Sequence, residues 1–371
     1  MLARAIASPF DVPAHTNSAM DGYALRGADI PKEGLSTLRV VGASFAGKPF
    51  HGVLGSGEAV RIMTGAVVPE GADTVVLQEQ VNASEGAVEI DSRHKTGQHV
   101  RAAGEDIKAG AIALPAGRRL TPSDLGLIAS LGRAEVTVFR RPRVAFFSTG
   151  DELRSIGEPL GRGEIYDSNR YTLYGMLMNL GVEPLDLGVV RDDPAALGAA
   201  FRRAASMADV IITSGGVSVG EADYTREVLG ELGEIRFWKI AMKPGRPLAF
   251  GRVGNAAFYG LPGNPVSVMV TFYQFVQPAL EKLMGAEPRR TWTLPARTTT
   301  ALKKKPGRAE FQRGWLARDD AGGWTVTPTG DQGSGILTSM SQANCFIVLD
   351  IDAGKVEPGT TVQVQPFELF Q

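Results

Sequence analysis

The 371-residue chain carries 39 lysines and arginines against 40 aspartates and glutamates, a formal net charge of −1, so no global field draws it to nucleic acid or an acidic membrane and anions must be recruited by local patches. Its length exceeds one ordinary core and predicts roughly two to four domains; 45 glycines and 22 prolines predict many turns. Cys345 is the only cysteine, which excludes an internal disulfide framework and a multi-cysteine zinc site and suits a reducing compartment.

The opening MLARAIASPF has one arginine and no sustained apolar stretch, unlike a secretory signal, and no apolar run reaches membrane-spanning length. The expectation is a soluble cytoplasmic protein. Short β-like runs follow at 38–41 and 74–77, separated by Gly and Pro. One helix is clear in this part: Thr121-Pro122-Ser123-Asp124 supplies N-terminal chemistry and Gly132 marks the stop.

From Arg143 onward strand-like and helix-like segments alternate. Strands are expected at 144–147, 182–190, 210–213, 235–240 and 248–250, helices at 169–180, 194–207, 224–232 and, longest, 265–284. This is an α/β pattern: a mostly parallel sheet covered by helices on both faces. It spans 141–288, with a β-rich mixed region at 1–140 and a small β-barrel-like domain at 289–371. In that last part Lys303-Lys304-Lys305-Pro306-Gly307 reads as a solvated turn.

Ligands of such sheets bind beyond the carboxyl ends of strands. Ser148-Thr149-Gly150-Asp151-Glu152-Leu153 lies at one such end. A second is DVIITSGGVSVGEADY, where Val210, Ile211 and Ile212 suit a buried strand and Ser214, Gly215, Gly216, Ser218 and Gly220 form a glycine-rich loop. There backbone N–H groups can approach an oxyanion without a Cβ in the way. Glu221 and Asp223 come next, and a phosphate-rich ligand beside them requires a divalent cation between like charges. Gly215 and Gly220 have P-loop spacing, but Glu221 and Ala222 stand where Lys and Ser/Thr must follow, and GGVSVG lacks the dinucleotide spacing. Neither an ordinary ATPase nor a nicotinamide dehydrogenase fits. A strand and a tight turn would account for this loop taken alone.

Its neighbours add to it. Lys239, Lys243 and Arg246 gather three cations in KIAMKPGRP, and Leu261-Pro262-Gly263-Asn264-Pro265-Val266-Ser267 forms a rigid turn at the mouth of the last helix, where the dipole favours an anion. With Ser18-Ala-Met-Asp21-Gly-Tyr-Ala24, Arg61-Ile-Met-Thr64-Gly-Ala66 and Gly104-Glu-Asp106 in the same order, the chain resembles the molybdopterin molybdenumtransferase family, which includes the E domain of gephyrin. The resemblance covers nearly the whole chain. One departure bears on dimer geometry: family members usually carry further helical sequence before the motif at Ser18.

The resemblance implies an enzyme that takes adenylylated molybdopterin and molybdate, releases AMP and leaves molybdenum on the pterin dithiolene. It implies Mg²⁺ as cofactor, held among Glu152, Asp192 and Asp223 beside the scissile phosphate linkage. Lys243 would neutralise phosphate, Lys239 and Ser267 match molybdate-holding positions, and Pro262 and Pro265 shape their loop. Asp21, Thr64, Arg101 and Asp106 match functional positions that the family contributes across a homodimer interface. Glu152, Asp192 and Asp223 could each instead cap a helix, and Asp21-Gly22 could be a simple turn. Two other readings remain open: a molybdopterin adenylyltransferase, which is essentially the α/β domain alone and leaves the flanking β-rich regions unexplained, and a non-catalytic molybdopterin-binding scaffold.

Overall fold

The computed structural model describes residues 1–216, 224–287 and 291–367, and the chain divides into two units, Met1–Val138 and Phe139–Gln371. The first unit is built on β1 (Gly22–Leu25), β2 (Leu35–Ser44), β3 (Glu58–Ile62), β4 (Thr74–Leu77), β5 (Asn82–Ser84) and β6 (Ala87–Asp91), hydrogen-bonded in the order β4-β1-β3-β2-β6-β5. Successive side chains of a strand point to opposite faces, and here both faces are covered. Leu25 and Val76 join Leu38, Ala59, Val88 and Ile90 on one side, while their neighbours Ala24 and Val75 join Ile62 and Ala66 on the other. The helix α1 (Pro122–Ser130) begins where Thr121 and Asp124 form a reciprocal capping box, with proline in the first turn.

The second unit opens with β7 (Arg143–Thr149), of which Val144 to Phe147 are fully buried. It continues through α2 (Ser168–Leu180), β8 (Glu183–Val190), α3 (Pro194–Met207), β9 (Val210–Ser214), α4 (Tyr224–Leu232), β10 (Gly233–Lys239), β11 (Met242–Lys243), β12 (Pro247–Val253) and β13 (Ala256–Leu261). The sheet order is β8-β7-β9-β13-β12-β10. Four strands run parallel; β12 is antiparallel to both β13 and β10. On one face Ala145, Phe147, Ile211 and Phe258 receive Leu197 and Phe201 of α3 and Leu229 of α4, with Phe201 edge-on to Phe147 and Phe258 at 5.2 and 5.7 Å. The helix α2 packs on β7, β8 and α5 (Pro265–Thr271).

The expected closing helix is present with an interruption. Between α5 and α6 (Gln277–Leu283) the turn Phe272–Val276 is π-helical, and the Gln277 amide donates to the Phe272 carbonyl. The cause is Pro278: it has no N–H, and its ring excludes a regular α-turn before it, so the backbone widens there.

After α6 come β14 (Leu294–Thr298), β15 (Ala309–Arg318), β16 (Trp324–Pro328), α7 (Leu337–Ser341), β17 (Cys345–Leu349) and β18 (Thr361–Pro366). The order β15-β16-β14-β18-β17 closes back through β17 and β15 into a five-stranded barrel, and β11 adds to its edge in parallel with Ala309 and Glu310. The lysine turn departs from the sequence reading. Lys304 is buried at 6% exposure, and its ammonium donates to the carbonyls of Lys305 (2.9 Å), Ala353 (3.1 Å) and Ile351 (3.5 Å). Three carbonyls of two turns need a donor, and only the middle lysine of the triplet is placed to supply it.

A candidate active site at the strand ends

Ser148 of β7 lies beside Ser214 of β9, and Ser214 beside Leu261 of β13. Parallel strands that end in register put their following loops on one edge of the sheet, and the turn after β8 joins them because Thr149 lies beside Val190. Between these loops and the C-terminal barrel region is a cleft of about 950 Å³.

Two close approaches shape it. Gly215 has φ 90°, and a Cβ there would lie 2.5 Å from the Thr149 carbonyl oxygen, so only glycine fits. Asn169 then ties the loops together: Nδ2 donates to Ser214 Oγ and to the Gly263 carbonyl, both at 2.7 Å. Asn169 is held in turn by the start of α2, whose cap is Asp167. That carboxylate accepts from Arg170 N at 3.2 Å and from Ser148 Oγ at 3.0 Å, and its second oxygen lies 3.4 Å from Arg170 Nε. Arg170 also reaches Asp186 at 3.1 Å.

Most of the expected residues meet in this cleft. Glu152, Asp192, Ser214, Gly215 and Gly216 line it from the strand-end loops; Pro262, Pro265 and Ser267 line it from the turn into α5; Lys243 and Arg246 line it from the segment carrying β11. Lys243 Nζ is 3.5 Å from Glu310 Oε2, a buried carboxylate that also accepts from Gln312 at 3.1 Å. Helix capping does not account for two of the carboxylates. The cap of α3 is Asp193, which accepts from Ala196 N at 2.8 Å, and Glu152 sits in a turn leading to no helix, its carbonyl accepting from Ile165 N.

Lys239 lies elsewhere, in an adjoining hollow of about 350 Å³ that shares Arg246 and Arg308 with the cleft. Ser218, Gly220 and Asp223 fall outside the described residues, and among the described residues no group of three or more metal-ligating side chains occurs.

In the first unit the remaining residues form a cluster of their own. Gly22 of β1 pairs with Ile62 of β3 in antiparallel fashion, so Asp21 before the one meets Thr64 after the other: Asp21 Oδ1 accepts from the Thr64 amide and the Thr64 hydroxyl, both at 2.7 Å. The Thr64 amide, then the Thr64 hydroxyl and the Arg61 charge, hold the Asp21 carboxyl below its ordinary pKa. Arg101 sits on a short strand opposite Asn17, with Val100 opposite Ser18, and Asp106 is exposed, its amide donating to the Val12 carbonyl at 3.0 Å.

Sequence reasoning did not find Asp167, Asn169, Arg308 or the wall formed by Gln332, Gly333, Ser334 and Gly335. Asp167-Ser168 is a helix-cap signal that points to the first two. Nothing in the pattern of the barrel strands points to the others, which reach the cleft through long-range contacts: the pairing of β11 with Ala309 and Glu310, and Ser334 accepting from Val266 N at 3.1 Å and from Asn264 Nδ2 at 3.0 Å. The lone thiol belongs to another place: Cys345 is buried in the barrel core, and burial pushes its pKa up to about 12.

The chain matches three family models: the MoeA N-terminal region (domains I and II) over residues 1–132, a probable molybdopterin binding domain over 145–282, and the MoeA C-terminal region (domain IV) over 295–367. It is 49% identical over 370 residues to the molybdopterin molybdenumtransferase of Haemophilus influenzae, covering 98% of this chain and 90% of that one. The Nostoc sp. molybdopterin molybdenumtransferase is 38% identical, with 98% and 85% covered. Among solved structures, a molybdopterin biosynthesis MoeA protein from Pyrococcus horikoshii superposes with a TM-score of 0.85 at 28% identity, over 99% of this chain and 91% of that one. No described helix is long and apolar enough to cross a membrane.

Proposed function

This chain belongs to the MoeA family, and on that premise we propose that it is a molybdopterin molybdenumtransferase acting in the cytoplasm. It takes molybdate and adenylylated molybdopterin, transfers molybdenum to the pterin dithiolene and releases AMP. The observation that carries this reading is the single cleft in which strand-end glycines, carboxylates and cations converge.

The two substrates are a dianion and a polyanion, and the cleft suits both. Lys243, Arg246 and Arg308 supply positive charge, which draws anions in and stabilises charge on phosphate oxygens. Gly215, which has no room for a Cβ beside Thr149, and Gly216, at φ 65°, bring backbone without side chains to the cleft. Ser214 and Ser267 add hydroxyls that can turn to donate or accept. The described donors also fit Mg²⁺: Glu152 and Asp192 offer hard carboxylate oxygens on the cleft, and this ion takes one or two carboxylates together with substrate phosphates. When bound it would neutralise the charge of the phosphate linkage. The sulfur ligands come from the substrate, so the protein needs no reactive thiol, in keeping with the burial of Cys345.

The proposal extends to a homodimer whose active site is completed at the subunit interface, with Asp21, Thr64, Arg101 and Asp106 as further substrate contacts. Purified protein given Mg²⁺, molybdate and adenylylated molybdopterin should release AMP. AMP release that proceeds equally well without molybdate would contradict the reading.

A further inference from the structure

The hollow beside the cleft is lined by Lys239, Arg246 and Arg308, with Ile240, Ala241 and Gly307 completing its wall, so it carries three cations and no carboxylate. None of the three cationic side chains makes a hydrogen bond or ion pair among the described residues. Like charges held around a space of about 350 Å³ repel one another, and an anion that enters relieves the repulsion. Arg246 and Arg308 also line the cleft, so they stand where the two spaces join.

Arg308 is brought there by a turn that is pinned on both sides. Before it, the buried Lys304 ammonium donates to the carbonyls of Lys305 at 2.9 Å, Ala353 at 3.1 Å and Ile351 at 3.5 Å. The same Ile351 carbonyl accepts from Gly307 N at 2.8 Å, so Lys304 and Gly307 share an anchor in the 350–353 turn. After it, Ala309 N donates to the Ala241 carbonyl at 2.9 Å, where Ala309 and Glu310 pair with β11. Arg308 itself is exposed and has no side-chain anchor of its own among the described residues, so its place depends on these backbone ties.

The two substrates differ in what they can reach. A single tetrahedral ion occupies one space or the other, whereas a phosphate on an extended molecule can sit at the junction while the rest of that molecule fills the cleft. A guanidinium suits a phosphate there, because its fork can meet two oxygens at once. We propose that Lys304 is a positioning residue for Arg308: by tying the turn at 305–307 to the turn at 350–353 it holds the Arg308 guanidinium at the junction, where it binds a phosphate oxygen of the adenylylated substrate. This rests on the molybdenum-transfer reading above.

The test uses the full chain with Lys304→Met, Arg308→Gln and the double variant, measuring KM for adenylylated molybdopterin and for molybdate separately, together with kcat. Arg308→Gln changes an exposed side chain and should raise the pterin-substrate KM about tenfold, with the molybdate KM within about twofold. Lys304→Met keeps the apolar stem but leaves three carbonyls without their donor, and should raise the same KM about three- to tenfold. Because Lys304 acts through Arg308, the double variant should stay within about twofold of Arg308→Gln alone. If Lys304→Met does not fold, Gly307→Ala disturbs the same turn from an exposed position: its φ is 98° and no atom lies within 4 Å of the added Cβ, so only the backbone is disturbed. It should raise the pterin-substrate KM about two- to fivefold and add nothing to Arg308→Gln. A molybdate KM that rises as much as the other, an unchanged pterin-substrate KM in Arg308→Gln, or turn and Arg308 effects that multiply in the double variant would overturn the inference and leave the functional reading intact. Wild-type protein whose AMP release ignores molybdate would remove that reading, and this inference with it.

Discussion

Gly215 is the position where one atom decides the shape of the cleft. A Cβ added there would meet the Thr149 carbonyl at 2.5 Å, at a φ of 90° that L side chains rarely adopt. Gly215→Ala is therefore expected to cost about 1–3 kcal/mol of stability and, by pushing the loop from Thr149, to break the Asn169 tie between Ser214 and Gly263. Chemical denaturation alongside the AMP-release assay checks both; an active variant of wild-type stability would show that the loop has room the geometry denies it. This glycine was legible in the sequence because glycines at a strand end have few other uses. Arg308 and Ser334 were not, since their approach to the cleft is set by long-range contacts, β11 on β15 and Ser334 on the start of α5, that no local pattern encodes. Lys304 misled for a related reason: a lysine triplet looks solvated until the turns at Lys305 and Ala353 fold over its middle member.

Among elements, α1 offers the cleanest test of a local rule. Asp124 is 3% exposed, and the Arg118 guanidinium first, then the Thr121 amide and hydroxyl, hold its carboxyl down to about 2. That lies below the unfolded value of about 3.9, so its contribution is fully present above that pH and is lost as the pH falls toward 2. Asp124→Asn should destabilise the first unit by about 1 kcal/mol at neutral pH and flatten its stability profile between roughly pH 4 and 2. Thermal melts followed by circular dichroism over that range would show it, and an unchanged acid limb would assign the profile to other carboxylates. This helix was readable because its cap, proline and stop are all local. The strand β13 was missed although Gly254-Asn255 between Val253 and Ala256 is a two-residue hairpin signal. That hairpin forces β12 to run antiparallel to β13, which is why the sheet is only partly parallel.

For the whole molecule the claim is that one fold gathers groups scattered across the sequence. The alternation after Arg143 was enough to predict a sheet whose strand ends bind ligand, because the β7 and β9 segments are short, apolar and buried, with helix-like segments between them. The barrel's part in the cleft was not predictable, because its strands read only as generic β. Glu152 and Asp192 from one end of the second unit, Lys243 and Ser267 from its middle, and Arg308 and Ser334 from the barrel all line the same space. The most direct measurement is anomalous diffraction at the molybdenum edge from crystals soaked in molybdate. The account predicts a peak inside this cleft, within contact of Lys243, Arg308, Ser267 or Ser334. A peak bound only outside the cleft, with the cleft open to solvent in the lattice, would contradict it.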